Sequence, residues 1–271
     1  MVRKPAVAGQ FYPKNPKALR AEVNSYFDSG TKQIKAVGVV SPHAGYVYSG
    51  RVAGEVFSRV EVPRRVLILG PNHRGRGSDA AIMSKGCWKM PMGDVAIDGE
   101  LSGIILANSK LVVEDETAHE MEHSLEVQVP FIQALRDDFL LTPLTLGQLS
   151  LKECLTLGDD LANAILIFKE NVSDDVLMVA STDMTHYESQ KVAKEQDMDA
   201  IEKILNLDPE GLYDTVRGRG ISMCGVIPVT VMLKAAMALG AKRVELVDYK
   251  TSGDTSGDYG SVVGYAGLTV E

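Results

Sequence analysis

VLILGPNHRG, residues 66–75, is the stretch whose reading decides the fold. Four branched apolar residues in succession make a buried strand, and Gly70-Pro71 stops it abruptly, leaving Asn72 and His73 at its carboxyl end. Two other stretches share this grammar. AVGVVSPHAG (36–45) ends on His43, and VLMVASTDMTH (176–186) ends on Asp183 and His186. In open α/β sheets ligands sit outside the carboxyl ends of the strands, so three strands that each deliver titratable residues there describe one site.

Working outward, strand and helix patterns alternate along the chain. Helical periodicity is expected over residues 15–27, 46–60 (with Ser49 as N-cap), 98–107, 120–135, 150–168, 188–205, 208–217 and 225–239. Strands are expected over 139–146, 244–248 and 261–270, with a short apolar run at 80–83. Residues 87–98, with the only Trp, read as a loop or short hairpin at the edge of the fold. The loops RGRG (74–77) and GDTSGDYG (253–260) read as mobile rims, and GRG (218–220) as a flexible helix end. The alternation gives an α/β fold, a helix-covered mixed or parallel sheet, as a single domain over residues 1–271.

With 45% hydrophobic and 24% charged residues the composition is that of an ordinary globular chain. A formal net charge of -8 argues against nucleic-acid or anionic-membrane partners. No apolar run has the length of a membrane span, and the first residues lack a signal-peptide core, so a cytoplasmic location is expected. Cys87, Cys154 and Cys224 are far apart and form no CxxC pair, so neither a disulfide framework nor a zinc knuckle is expected. No GxxxxGK[ST] or GxGxxG marks a nucleotide site.

Two neutral imidazoles at strand ends, His43 and His73, suit a divalent transition metal, and Cys224 is the best candidate for a third ligand. It precedes an apolar helix whose dipole would favour thiolate. Asp183 and His186 suit an acid/base pair in which the carboxylate holds the imidazole, or a pair that both bind the metal; alternatively Ser181, Thr182 and Asp183 simply cap a helix. HEMEH (119–123) spells the HExxH of zinc peptidases, but Pro130 interrupts the helix and no third ligand follows. His123, beside the polar Glu122 and Ser124, and Asn72 are placed at the edge of the pocket.

AVAGQFYP, SPHAGYVYSG, LGPNHRG, EHSLEVQVPF, STDMTHY and MCGVIPV, in that order over nearly the whole chain, closely resemble the Memo family, named for a mediator of receptor-tyrosine-kinase-driven cell motility in animals. The resemblance implies an α/β/α sandwich similar to class III extradiol dioxygenases, non-haem iron enzymes. It implies that His43 and His73 stand where those enzymes place two metal-binding His, His186 where they place the acid/base His, and Cys224 where they have a carboxylate ligand. A thiolate in that position changes the softness and potential of the centre, so ring-opening dioxygenation does not carry across.

The function expected is therefore a protein binding iron or copper in preference to zinc through His43, His73 and Cys224. Redox or oxygen chemistry on a small molecule would follow, with Asp183 and His186 as acid/base groups. The alternative is a non-enzymatic module whose pocket captures a peptide or anion without metal. A third reading is a metal-free thiol hydrolase with Cys224 as nucleophile.

Overall fold

A computed structural model describes residues 2–271. The first half contains β1 (Val2–Arg3), α1 (Pro16–Tyr26), β2 (Gly38–Ser41), α2 (Tyr46–Ser58), β3 (Arg65–Pro71), β4 (Ala80–Ile82), β5 (Cys87–Trp88), β6 (Val95–Ala96), α3 (Gly99–Asn108) and β7 (Val113–Glu114). A 3-10 turn (Glu126–Gln128) leads into α4 (Val129–Leu135), β8 (Leu140–Leu146), α5 (Leu151–Val172), β9 (Val176–Ser181) and β10 (His186–Glu188). The chain ends with α6 (Gln190–Leu205), α7 (Pro209–Arg219), α8 (Val226–Ala238), β11 (Val244–Thr251), α9 (Gly253–Ser256) and β12 (Val262–Val270).

The main sheet runs β10-β12-β2-β9-β3-β8-β4-β7, with β11 beside β12. β2, β9, β3 and β8 are mutually parallel, whereas β12 opposes β2 and β4 opposes β8. The sheet is therefore mixed. Its central strands β2, β9, β3 and β8 are buried on both faces, and alternate side chains enter separate cores. Val40, Leu67, Leu69, Met178 and Ala180 pack under α3, α5, α6, α7 and α8. Val39, Val66, Ile68, Leu177 and Val179 pack under α1, α2 and α4. This is the α/β/α sandwich expected from the sequence.

Strand order is what makes the site. β9 lies between β2 and β3, with Ser41 opposite Ser181 and Leu69 opposite Ala180. The chain segments bearing His43, Asp183 and His73 therefore leave three adjacent strands at the same edge.

Local chemistry moved several expected boundaries. Gly45, not Ser49, is the N-cap of α2, and the Ser49 hydroxyl donates to the Ala44 carbonyl from within the helix. α7 continues to Arg219 and closes at Gly220, whose φ of 65° favours glycine. Residues 87–98 form the β5–β6 hairpin, which pairs with β1 in a small separate sheet and buries Trp88.

The largest departure is at residues 120–135. Only its end is α-helical; the start is a string of turns before the 3-10 turn. Side chains have captured the backbone groups a helix would need. Arg3 donates from Nε to the His119 carbonyl (2.7 Å) and from Nη2 to the Glu122 carbonyl (2.6 Å). The Glu122 carboxylate takes the N–H groups of His123 and Ser124, each at 2.9 Å. Such side-chain bonds compete directly with the helical ladder.

Candidate metal centre

His43 is buried just beyond β2. Its backbone N–H donates to Asp183 Oδ1 at 2.8 Å, its Nδ1 lies 2.9 Å from Ser181 Oγ, and its Nε2 lies 3.3 Å from Cys224 Sγ. His73 follows β3 and is held by Glu122: its N–H donates to Oε2 at 2.7 Å and its Nδ1 sits 2.9 Å from Oε1. His123 stacks on His73 with ring centroids 4.8 Å apart, and its Nδ1 has no hydrogen-bond partner among the described residues. One ligand nitrogen from each of His43, His73 and His123 can be chosen so that all three lie within 4.8 Å of one another.

Electrostatics suits these groups to ligation. Burial, with the neighbouring imidazoles, drives His43 well below its ordinary value. Burial also brings His123 down to about 4, outweighing the Glu122 carboxylate beside it. Burial would raise Glu122, but the hydrogen bond and charge of His73 and the Ser124 N–H hold it at about 2. His43 and His123 are thus neutral imidazoles, and the ionised Glu122 carboxylate supports His73, as metal-binding histidines require.

Cys224 reaches the site because α8 starts against the end of β9. Gly225 donates its N–H to Thr182 Oγ1 at 2.9 Å, and a Cβ on Gly225 would collide with Thr182 and the Ser181 carbonyl. Thr182 therefore braces the start of α8, the role the sequence had offered it for a helix following directly. The expected thiolate is not what the metal-free site favours. Burial, followed by the Asp183 carboxylate, pushes the Cys224 thiol up, outweighing the Asp183 N–H that reaches Sγ at 3.3 Å. In the metal-free protein at pH 8, iodoacetamide should therefore modify Cys224 at least about ten-fold more slowly than a small free thiol. Peptide mapping after timed labelling measures this, and labelling at the free-thiol rate would contradict it.

His186, half-buried, begins β10. Its N–H donates to Ser222 Oγ at 2.7 Å and its Nδ1 lies 3.1 Å from the Ser222 carbonyl. A carbonyl only accepts, so Nδ1 carries the proton and Nε2 is left as the basic nitrogen. The ring is oriented by Ser222 where the sequence suggested Asp183; the Asp183 carboxylate instead fixes the His43 backbone, and burial raises its pKa above the usual carboxylate range. Asn72 turns toward the adjoining loop, donating from Nδ2 to the Arg76 carbonyl at 2.7 Å. His119, the first histidine of HEMEH, is remote in role: its Nε2 lies 3.0 Å from the Ala81 carbonyl and its Nδ1 3.0 Å from Thr145 Oγ1. Both nitrogens are satisfied in the core, so no HExxH pair forms.

A family model described as Memo-like protein matches residues 3–269. The chain belongs to the Memo-like family. A MEMO1 family protein of Methanosarcina barkeri is 41% identical over 272 residues, covering 100% of both chains. One from Methanothermobacter thermautotrophicus is 40% identical over 281 residues, covering 99% of this chain and 100% of the relative. A bacterial relative from Aquifex aeolicus is 41% identical over 273 residues, covering 98% of each. The match extends across every segment of this Memo-like chain that feeds the site.

Sequence reasoning placed His123 only at the pocket edge and gave Glu122 and Arg3 no role. The adjacent polar pair Glu122-His123 beside an apolar run was the available signal.

Proposed function

We propose that this Memo-like chain binds a redox-active metal, iron or copper, where His43, His73 and His123 converge, with Cys224 as a further donor. The observation carrying this reading is the convergence of three imidazole nitrogens within 4.8 Å. The neutral state of His43 and His123 supports it too, and weighs against metal-free capture of an anion, which needs positive charge. Imidazole with thiolate suits copper, zinc and iron, and a softer donor in place of carboxylate favours copper further. A bound ion of this kind supplies one-electron or oxygen chemistry.

The chain's own residues would do the rest. His186 Nε2 accepts or returns a proton, and Asp183 keeps His43 seated through its backbone N–H. Phe11, whose ring meets His123 edge-on at 4.8 Å, gives the approach an apolar wall for a small molecule or peptide. Among the described residues no helix is long and apolar enough to cross a membrane, and the three cysteines are free, which supports a cytoplasmic setting.

Chelator-treated protein should take up close to one Fe(II) or Cu(II) per chain under anaerobic conditions, measured by elemental analysis after gel filtration. His43→Ala and His73→Ala should abolish retention. Cys224→Ser should keep the ion but lose thiolate-to-metal charge-transfer absorption. Failure of the wild type to retain either metal would sink the reading.

A further inference from the structure

We propose that residues 122–128 form a positioning element that sets the tautomers of both His43 and His73, so that each presents an Nε2 lone pair. The inference deepens the metal-binding reading and rests on it for its consequence, though the proton placement stands on hydrogen bonding alone.

For His43 the logic passes through two residues. Gln128 Nε2 lies 2.9 Å from the Pro42 carbonyl, 3.3 Å from the Ser41 carbonyl and 2.8 Å from Ser181 Oγ. Carbonyl oxygens only accept, so the amide nitrogen faces them and donates to Ser181 as well. Ser181 has one proton of its own, and it goes to the Ser124 carbonyl at 2.6 Å. With that proton committed, Ser181 Oγ can only accept from His43 Nδ1, 2.9 Å away. Nδ1 is therefore protonated, and the lone pair sits on Nε2, the nitrogen 3.3 Å from Cys224 Sγ.

For His73 the control is direct. Glu122 receives three backbone N–H groups, from His73, His123 and Ser124. A carboxylate used this way is an acceptor only, so the 2.9 Å contact to His73 Nδ1 requires N–H there, which in the neutral ring leaves the lone pair at Nε2. Glu122, Ser124 and Gln128 belong to one short segment. It is anchored by Arg3 on the Glu122 carbonyl and, just ahead of the segment, on the His119 carbonyl, and by Ser124 Oγ donating to the Pro71 carbonyl at 2.9 Å. One element thus reaches beneath two strand ends and presets both ligands. His186 takes the same tautomer from Ser222, outside the segment, and serves as an internal control.

The chain has five His, few enough for each imidazole to be followed. Two-bond proton–nitrogen spectra of the metal-free, full-length, nitrogen-15-labelled protein at pH 7.5 should show His43 and His73 with unprotonated Nε2. Ser181→Ala should mix the tautomers of His43 only, and Glu122→Gln those of His73 only, with His186 unchanged in both. A protonated Nε2 on either ring in the wild type overturns the proposal, as do variants that leave both tautomers intact or disturb all three histidines together. Copper(II) affinity should fall roughly 10–100-fold in each variant, as removal of a ligand's orienting partner does. A wild type with the stated tautomers that binds no metal would remove the metal-binding reading while leaving the tautomer assignment in place.

Discussion

Arg3→Met should lower the unfolding free energy by about 3–5 kcal/mol, the cost of leaving one member of a buried ion pair without the other. Arg3 and Glu126 are both buried, with Nη1 and Oε2 2.6 Å apart. The Arg3 guanidinium also lies 4.0 Å from the centre of the Trp88 ring and holds the carbonyls of His119 and Glu122. Its loss strands the Glu126 carboxylate in the core and frees the segment that carries His123. In thermal unfolding the midpoint should fall on the order of 10 °C. Replacing both partners with apolar residues should not restore it. Glu126 also accepts from Ala6 N–H at 2.7 Å, Val7 N–H at 3.1 Å and Tyr12 Oη–H at 2.5 Å, and those three donors would be orphaned. An Arg3→Met variant within about 1 kcal/mol of wild type would refute the clamp.

Acidification of the metal-free protein should produce a comparably large loss between pH 6.5 and 4. Burial lowers His119 and His123 to about 4 and His43 well below its ordinary value. Each stays neutral in the folded chain while the unfolded chain, with imidazoles near about 6.5, takes up protons. Their neutral states fit the fold fully above that value, and the fold weakens as pH falls below it. The loss ceases for His119 and His123 once the folded state protonates too.

Asp183 works in the opposite direction. Burial raises its carboxyl, so between its ordinary and raised values the folded chain is the one holding the extra proton. Glu122, held at about 2, adds a contribution that is present above the ordinary carboxylate range and disappears as pH falls toward that value. Asp197 is likewise raised by burial, so three histidines less two carboxyls leave a difference of about one proton, or roughly 1.4 kcal/mol per pH unit. Over two pH units this removes about 3 kcal/mol, a large share of a total stability of about 5–15 kcal/mol. Urea midpoints at pH 7, 6 and 5 measure the slope, and a flat profile would contradict it. His119→Gln keeps a donor for Ala81 and an acceptor for Thr145, so it should remove about one proton from the slope.

The amino-acid sequence by itself determined the sandwich and the sheet edge at which its candidate site residues gather. Strands buried on both faces must be runs of branched apolar residues, and Gly70-Pro71 and Pro42 end two of them at a defined point. The placement of His43, His73, Asp183 and His186 beyond strand ends was legible because strand ends are local features. Tertiary structure alone decided which groups meet and in what protonation state. The position of β9 between β2 and β3 brings the strand ends together. Contacts across more than a hundred residues, Arg3 with His119, Glu122 and Glu126, undo the helical periodicity around HEMEH and turn His123 toward His43 and His73. Helix patterning is short-range, whereas a buried guanidinium must find its acceptors wherever the fold supplies them. Cys224 shows the same division. A helix start favours thiolate by its dipole, but burial beside Asp183 outweighs that dipole and keeps the metal-free thiol protonated.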